Sequence, residues 1–344
     1  MTFDIDTVQG RDGWSMRSRK RSHAGPDCVV PIVRCGILAR EFCRHGADAE
    51  IAAVFDRSLY LHSGDVFICL GEPSIGNGPL TLIADLGGSR KLSDLNLLPG
   101  RRAIISEQRI TIGDTVELTF DDCEVWRPPR WPLPLLPDRL NEVYRAIARL
   151  TVAEAPEEGL ARLSCLHEQD TNETPFTRIA RPRVTRFQSW LRAALDTDQM
   201  PAAASPEPVQ ALMGLGPGLT PSGDDVLAGA LALLDALMER RGHAALARAI
   251  TDAPRGLTSP LSDCLLRAAA AGLVGETLCR AVSAIISGAP ETAVATIRNI
   301  GHSSGWDMLA GIATALEVVV CVRRIGGRKA LDPQGPIREA FASV

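Results

Sequence analysis

The stretch GLGPGLTPSGDDVLAG, residues 214–229, places three glycines and two prolines before Ser-Gly-Asp-Asp and an apolar helical pattern. Glycines before a helix let backbone amides converge on an anion, because the first amides of a helix have no partner within it. The stretch lacks the lysine of a nucleotide phosphate loop and follows a helical pattern, so it fits neither nucleotide-binding glycine motif. A small-anion site, a metal site on paired carboxylates and a simple helix start all remain open.

The second half of this stretch recurs 82 residues later in the chain. PSGDDVLAG (221–229) and SSGWDMLAG (303–311) share the pattern S-G-x-D-x-L-A-G. Ser222 and Ser304 are predicted to be N-caps, and the aspartate three positions later completes a capping box in each copy. The glycine four positions after each aspartate lies on the same helix face and allows another helix to approach closely. The repeat therefore predicts two similar capped and closely packed helix starts.

Capping and packing account for both copies without a ligand, so a purely structural role stays open. Asp224 is not needed by the cap, however, and the Gly-Pro-Gly of 216–218 exceeds what a helix start requires. A third start, GLTSPLSDCLL (256–266), has Thr258 or Ser259 before a proline, the residue favoured at the first helical position. We expect the three starts to meet at one cavity that binds a small anion through amides and hydroxyls.

The predicted site consists of the acidic, hydroxyl and glycine positions at these helix starts. The carboxylates would position donors or hold Mg²⁺, with Asp224 and Asp225 as the metal candidates. The catalytic candidates are Asp224, Asp225 and Asp307, and the substrate-binding candidates are Gly216, Gly218, Thr220, Ser222, Gly223, Thr258, Ser259, Ser262, Ser303 and Ser304.

Residues 28–128 have the short period of strands, separated by Gly, Pro, Asn and Asp. The alternation in segments such as TVELTF is typical of strands with one wet face. We predict an α+β protein whose N-terminal domain is an antiparallel β-sandwich or a partly open barrel. The Gly-Asn-Gly-Pro of 76–79 is interpreted as a hairpin turn in preference to a second wall of the ligand pocket.

The stretch RPPRWPLPLLPD (127–138) has five prolines in twelve residues and marks the domain boundary. Beyond it the period changes to 3.6, which predicts an all-α domain over 139–330 built from about ten helices. One of these helices is predicted at 156–167, and 168–182 is predicted to be a surface loop. The basic residues 1–25 and residues 331–344 are expected to be tails, the first of them disordered.

The composition excludes several classes of function. A net charge of −4 gives no electrostatic footprint for nucleic acid. The nine cysteines are scattered without C-x-x-C, which favours reduced thiols in a cytoplasmic protein over a zinc site or a disulfide framework. The most apolar segment, 304–324, contains Asp307 and Glu317 and is predicted to be a core helix, so no membrane partner is expected.

The strings GLGPGLTPSGDDVLAG, TSPLSDCLL and GHSSGWDMLAG together resemble a bacterial family that includes the AllH-type subunit of a three-component oxamate carbamoyltransferase. The β-rich stretch VFDRSLYLHSGDVFICLGE is similar to the N-terminal half of that family. Trp306 inside the second copy and the basic N-terminal extension are departures from the family pattern.

The resemblance implies a carbamoyltransferase subunit in allantoin and purine breakdown, in which oxalurate and phosphate give oxamate and carbamoyl phosphate. It implies partner subunits as well, one of them resembling the α subunit of succinyl-CoA synthetase. Two other hypotheses about the function stay open. In the first, the chain is a stand-alone Mg²⁺-dependent hydrolase or transferase that uses the aspartate pair. In the second, it is a non-catalytic assembly subunit.

Overall fold

The first part of the chain folds into a closed eight-stranded barrel. It was described from a computed structural model, which covers residues 28–87, 91–165, 174–196 and 205–330. Strands follow the order β5-β4-β3-β2-β6-β7-β8-β1, and β1 also pairs with β5, while β9 lies beside the end of β1. The strands are β1 (Cys28–Gly36), β2 (Ala47–Val54), β3 (Ser58–Ser63), β4 (Val66–Gly71), β5 (Thr81–Ala84), β6 (Arg102–Ile105), β7 (Arg109–Ile112), β8 (Val116–Thr119) and β9 (Glu124–Trp126).

The predicted α+β class is confirmed, and of the two predicted β architectures the barrel is the one that forms. It differs from the prediction in being closed and mixed. The first half of β1 pairs in parallel with β8 and its second half pairs antiparallel with β5, so this single strand closes the ring. The β4–β5 pair is also parallel. Such pairings join residues far apart in sequence, which strand periodicity alone does not reveal.

Alternating apolar residues fill the barrel, as expected when every second side chain points inward. In β7, for example, Ile110 and Ile112 are completely buried. The helix α1 (Ile37–His45) follows β1 without a loop and adds Ala39 and Cys43 to the same core. The barrel therefore has its own hydrophobic core, separate from that of the helices.

Residues 76–79 connect the barrel to the helical region. Because β4 and β5 are parallel, the segment between them is not the hairpin turn that the sequence suggested. The Pro79 carbonyl accepts the amides of Leu38 and Ala39, both at 3.0 Å, and so caps α1. The Asn77 carbonyl accepts the Glu276 amide at 2.8 Å, at the start of a helix in the second region. One barrel loop thus satisfies the first amides of two helices.

Nine further α-helices follow in the described part of the chain. The central one, α5, has only Ala228 and Asp235 partly exposed among its fifteen residues, as is typical of a helix surrounded by others. The helices are α2 (Pro137–Glu154), α3 (Pro175–Leu195), α4 (Glu207–Gln210), α5 (Ser222–Ala236), α6 (Arg240–Thr251), α7 (Pro260–Ala270), α8 (Glu276–Ile286), α9 (Pro290–Ile297) and α10 (Ser304–Ala330).

Two local predictions for the helical region are wrong. In place of a helix over 156–167, the chain forms bends and then a short 3₁₀ helix, Ala161–Cys165, and residues 166–167 lie outside the described part. The predicted loop over 168–182 is helical from Pro175 onward. Thr174 explains the early start, because its side chain accepts the Thr177 amide at 3.1 Å and caps α3.

The helix α10 is long and apolar enough between Ser304 and Arg323 to meet the length and composition criteria of a membrane span. However, 83% of its most apolar window is buried inside the protein. This burial agrees with the prediction of a core helix.

The helices α5 and α10 cross with their backbones in contact. A Cβ atom added at Gly229 would lie 2.0 Å from the Met308 carbonyl oxygen, and one added at Gly311 would lie 1.9 Å from that of Val226. Any side chain at these two positions would force the helices apart. The predicted close approach at the repeated glycines therefore occurs, and it occurs between the two copies themselves.

This contact predicts that Gly311→Ala destabilises the protein. The added methyl group would collide with backbone, which has no side-chain freedom to move away, so the free energy of unfolding should fall by about 1–3 kcal/mol. Gly242→Ala in α6 is the matched control, because its Cβ would meet side chains and not backbone, Leu195 at 2.7 Å and Leu234 at 3.4 Å. Denaturant unfolding of both variants measures the difference. Equal stability of the two variants would contradict the prediction.

Candidate active site at the crossing of two helix starts

The helices α5 and α10 both begin with a serine that is the first helical residue and not the N-cap. Pro221 is the N-cap of α5, and its carbonyl accepts the Asp225 amide at 3.2 Å. In α10, which starts at Ser304, the Ser303 carbonyl accepts the Asp307 amide at 2.9 Å. The predicted capping boxes are therefore wrong, because the residue before each serine accepts the first helical hydrogen bond.

Each of these serines instead serves the opposite helix. The Ser304 hydroxyl lies beside the Asp225 carboxyl, and the Ser222 hydroxyl lies beside the Asp307 carboxyl. The Thr220 hydroxyl is 3.3 Å from that of Ser304. The glycines at the crossing are also reciprocal, since Gly229 of α5 faces the Met308 carbonyl of α10 and Gly311 of α10 faces the Val226 carbonyl of α5. An approximate twofold axis therefore relates the two helix starts.

Asp224 acts as a structural link between three segments. Its Oδ1 accepts the Gly214 amide at 3.0 Å, and its Oδ2 accepts the Ser262 hydroxyl at 2.7 Å together with the Thr258 hydroxyl. Burial raises the pKa of Asp224, and these three hydrogen bonds oppose the rise, while the charge of Asp263 adds to it. Both oxygens are thus occupied by donors from the protein.

Asp225 is just as deeply buried, at 4% exposed, but is less well satisfied. Its Oδ2 has no hydrogen-bond partner among the residues that the structure describes. Burial raises the pKa of Asp225 well above its ordinary value, the Ser304 hydroxyl lowers it, and the charges of Asp307 and Asp224 raise it further. We therefore expect a neutral, protonated carboxyl with hydrogen-bonding capacity left over.

Asp307 is completely buried and is covered by the chain itself. Its Oδ1 accepts the Leu160 amide at 2.5 Å. Gly159 makes this contact possible, because a Cβ at that residue would lie 2.6 Å from the same oxygen. Burial raises the pKa of Asp307, and the Leu160 amide and the hydroxyls of Ser222 and Ser303 lower it.

The third predicted helix start also joins the site. Ser259 is the N-cap of α7, where its hydroxyl oxygen accepts the Ser262 amide at 3.0 Å and also donates to the Leu219 carbonyl at 2.5 Å. Asp263, one position further on, lies between Arg255 and Arg267 and belongs to an ion-pair cluster. The start of α7 therefore faces α5 through its hydroxyls, not through its acid.

A cavity of about 530 Å³ lies between the barrel and these helix starts. Residues of the first turns of α5, α7, α8 and α10 line one side of it, and barrel residues line the other. The polar and glycine residues around it include Arg57, Ser58, Tyr60, Cys69, Ser74, Gly76, Asn77, Gly78, Thr81, Thr220, Asp224, Asp225, Ser262, Gly275, Glu276, Thr277, Asn299, Gly301 and Ser304. The segment 76–79 thus forms a second wall of the pocket.

The predicted site residues divide into two groups. Thr220, Asp224, Asp225, Ser262 and Ser304 line the cavity. Those absent from its lining are Gly216, Gly218, Ser222, Gly223, Thr258, Ser259, Ser303 and Asp307.

The reasons for this second group are structural. Gly218 lies in an exposed loop with open space around it, and Gly223 is a packing position whose Cβ would lie 2.0 Å from the Leu212 carbonyl oxygen. Thr258 and Ser259 hold Asp224 and the loop before α5 in place.

Sequence reasoning missed Arg57, Asn299 and Glu276 in the lining. No local motif marks these three residues, because the cavity forms only where distant segments meet. Glu276 helps to join the barrel to the helices, since its carboxylate accepts the Asn77 side-chain amide at 2.5 Å and the Asn77 backbone amide at 3.2 Å.

The aspartate pair does not suit the predicted Mg²⁺ site. No group of three or more His, Cys, Asp or Glu side chains that could hold a metal occurs among the described residues. Both oxygens of Asp224 already accept hydrogen bonds, and the raised pKa of Asp225 favours the protonated form, which is a poor ligand for a hard cation.

The fold and site together define a class of protein, a closed mixed barrel joined to a helical region with a carboxyl-lined cavity between them. Residues 212–316 match the family described as oxamate carbamoyltransferase subunit AllH. This match supports membership of the AllH-type family, and it contains every helix start that lines the cavity. No solved structure matches the chain.

The buried carboxyl of Asp225 predicts a specific pH dependence of stability. Between the ordinary pKa of 3.8 and the raised value, the folded protein keeps a proton that the unfolded chain releases, so stability falls as pH rises through this window. Asp225→Asn removes this contribution. Its stability relative to the native protein should therefore increase from pH 4 to pH 7.

Thermal unfolding across this pH range measures the effect. Asp121→Asn, on an exposed turn, is the control and should run parallel to the native protein. If the profile of Asp225→Asn also ran parallel, Asp225 would be ionised in the folded state and the prediction would be wrong.

Proposed function

We propose that this chain is a subunit of an oxamate carbamoyltransferase complex and that it binds the small anionic substrate in the cavity between barrel and helices. The reaction would be oxalurate and phosphate giving oxamate and carbamoyl phosphate. The family match to residues 212–316 supports the subunit role. The observation that carries the location is that the first turns of four helices line a single cavity.

Four helix N-termini favour a small anion over a neutral ligand. The first turn of each helix lies at the positive end of the helix dipole. This long-range effect remains although the amides of Gly223, Ser262, Glu276 and Gly305 already donate to other groups of the protein. Hydroxyls of Thr220 and Ser304 add polar groups around the same space, whereas that of Ser262 already donates to Asp224. Arg57 is the one cationic side chain among the cavity-lining residues that the structure describes. A neutral Asp225 would not repel the anion.

The contribution of this chain to the chemistry is then binding and orientation. Helix dipoles, the Arg57 guanidinium and hydroxyls around the cavity would stabilise negative charge that develops on the carbamoyl oxygen in the transition state. Covalent catalysis by the cavity thiol is disfavoured, because burial raises the pKa of Cys69 to about 12, although Tyr60 and Ser58 lower it. The remaining steps would fall to partner subunits, one of them resembling the α subunit of succinyl-CoA synthetase.

A non-catalytic assembly role is the second candidate. It is favoured by Asp224, Gly229 and Gly311, because packing and hydrogen bonding within the chain account for all three. It does not account for the orphaned oxygen of Asp225 beside the cavity. The free thiols among the described residues support a cytoplasmic location under either role.

The proposed function predicts that the purified full-length chain binds oxamate and phosphate without catalysis. Phosphorolysis of oxalurate should begin only when partner subunits are added. Calorimetry gives the binding, and a carbamoyl phosphate assay gives the turnover. Turnover by the chain alone, or absence of binding to every one of these anions, would reject the proposal.

Arg57 provides a variant test of the site. Arg57→Gln should weaken oxamate binding about threefold to tenfold, the effect of one exposed charge contact, and the loss should shrink at high salt. Arg44→Gln on α1, which does not line the cavity, is the control. Unchanged oxamate affinity in Arg57→Gln would place the anion elsewhere.

A further inference from the structure

The approximate twofold symmetry between α5 and α10 does not extend to the surroundings of their two aspartates, Asp225 and Asp307. Around Asp307, the chain itself supplies a partner, because the Leu160 amide donates to Oδ1 at 2.5 Å. The close passage of Gly159 leaves no room for a ligand there. This half of the repeat therefore shows what its aspartate binds, namely an amide N–H.

Asp225, in the other half of the repeat, has different surroundings. Asp225 lines the cavity, is 4% exposed, and its Oδ2 has no hydrogen-bond partner among the described residues. The serine beside it, Ser304, corresponds to the serine beside Asp307. The two sites thus have the same construction, and only Asp225 belongs to the lining of the cavity.

We propose that Asp225 recognises the carbamoyl or ureido group of the substrate, with one carboxyl oxygen accepting its N–H and the other donating O–H to its carbonyl. This inference rests on the proposed function, since it concerns the same cavity and an amide-bearing substrate. It goes beyond that function by giving Asp225 the role of a specificity-determining residue.

The difference between the two aspartates supports a primary amide in particular. In a trans peptide the N–H and C=O point in opposite directions, so the Leu160 peptide offers only its N–H to Asp307. The Oδ2 of Asp307 accordingly has no hydrogen-bond partner among the described residues. An H₂N–C=O group presents a donor and an acceptor on the same edge and would satisfy both oxygens of a protonated carboxyl.

The surroundings of Asp225 favour its protonated form. Burial raises its pKa, and the charged groups that face it, Asp224 on its own helix and Asp307 on α10, are both acidic. From the barrel, Arg57 lines the same cavity. A neutral carboxyl and a cationic side chain that line one cavity suit a ligand that combines an amide with an anionic group.

Oxamate and pyruvate form a matched pair of probes, because pyruvate has a methyl group where oxamate has NH₂. The native full-length chain should bind oxamate at least roughly tenfold more tightly, as expected for a buried hydrogen-bonding pair. Asp225→Leu should abolish this preference. Asp225→Asn should keep most of it, because the asparagine amide offers a donor and an acceptor on one edge.

Calorimetry on folded variants gives the affinity ratio, which a purely structural role would not change. Asp307→Asn is the control and should keep the native ratio. If Asp225→Leu does not fold, Asp225→Ala replaces it. Equal binding of oxamate and pyruvate by the native chain, or an unchanged ratio in the Asp225→Leu or Asp225→Ala variant, would overturn the inference and leave the anion site intact. Failure of the native chain to bind oxamate, pyruvate or phosphate would reject both the proposed function and the inference.

Discussion

The candidate site depends on the backbone contact at which α5 crosses α10. Gly229 faces the Met308 carbonyl and Gly311 faces that of Val226, with no space for a Cβ atom on either side. This contact lies within two turns of both helix starts, so it fixes the distance between the two first turns. Because side chains of one first turn then reach the other, each serine can serve the aspartate of the opposite helix.

The same contact forces three carboxyl groups into one buried region, and each of them is satisfied differently. Asp224 accepts three hydrogen bonds from protein, and Asp307 accepts a backbone amide. Asp225 keeps an unpartnered oxygen beside the cavity. Burial raises the pKa of all three. Buried polar groups in native proteins are almost always paired, yet Asp225 and Asp307 each keep one unpartnered oxygen among the described residues. Of these two aspartates only Asp225 lines the cavity, so a ligand there would complete its hydrogen bonding.

Sequence reasoning reached the parts of this arrangement that depend on local spacing. The repeated S-G-x-D-x-L-A-G predicted two similar helix starts, and the four-residue interval to the glycine predicted their close packing. The N-cap of α5 was assigned to the wrong residue. The carbonyl of Pro221, and not the hydroxyl of Ser222, accepts the amides in the first turn of the helix. Closure of the barrel and the contact of Asn77 with α8 were missed because both join segments that are distant in sequence.

The Gly-Pro-Gly segment is explained by comparison of the two copies. Gly216 and Ser222 are six positions apart, whereas the corresponding Gly301 and Ser304 are three apart, so the first copy has a longer loop. That loop contacts the N-cap of α7, since the Leu219 carbonyl accepts the Ser259 hydroxyl.

The residue before this loop makes a second contact with the same segment. Gly214 packs so closely that a Cβ would lie 2.2 Å from the Leu257 carbonyl oxygen. Anchoring the start of α7 in this way places Thr258 and Ser262 against Asp224 and satisfies its carboxylate. Gly214 therefore serves the ligand site indirectly. Its amide and the hydroxyls of Thr258 and Ser262 satisfy Asp224, so that of the two aspartates in the cavity lining Asp225 is the one with an unpartnered oxygen.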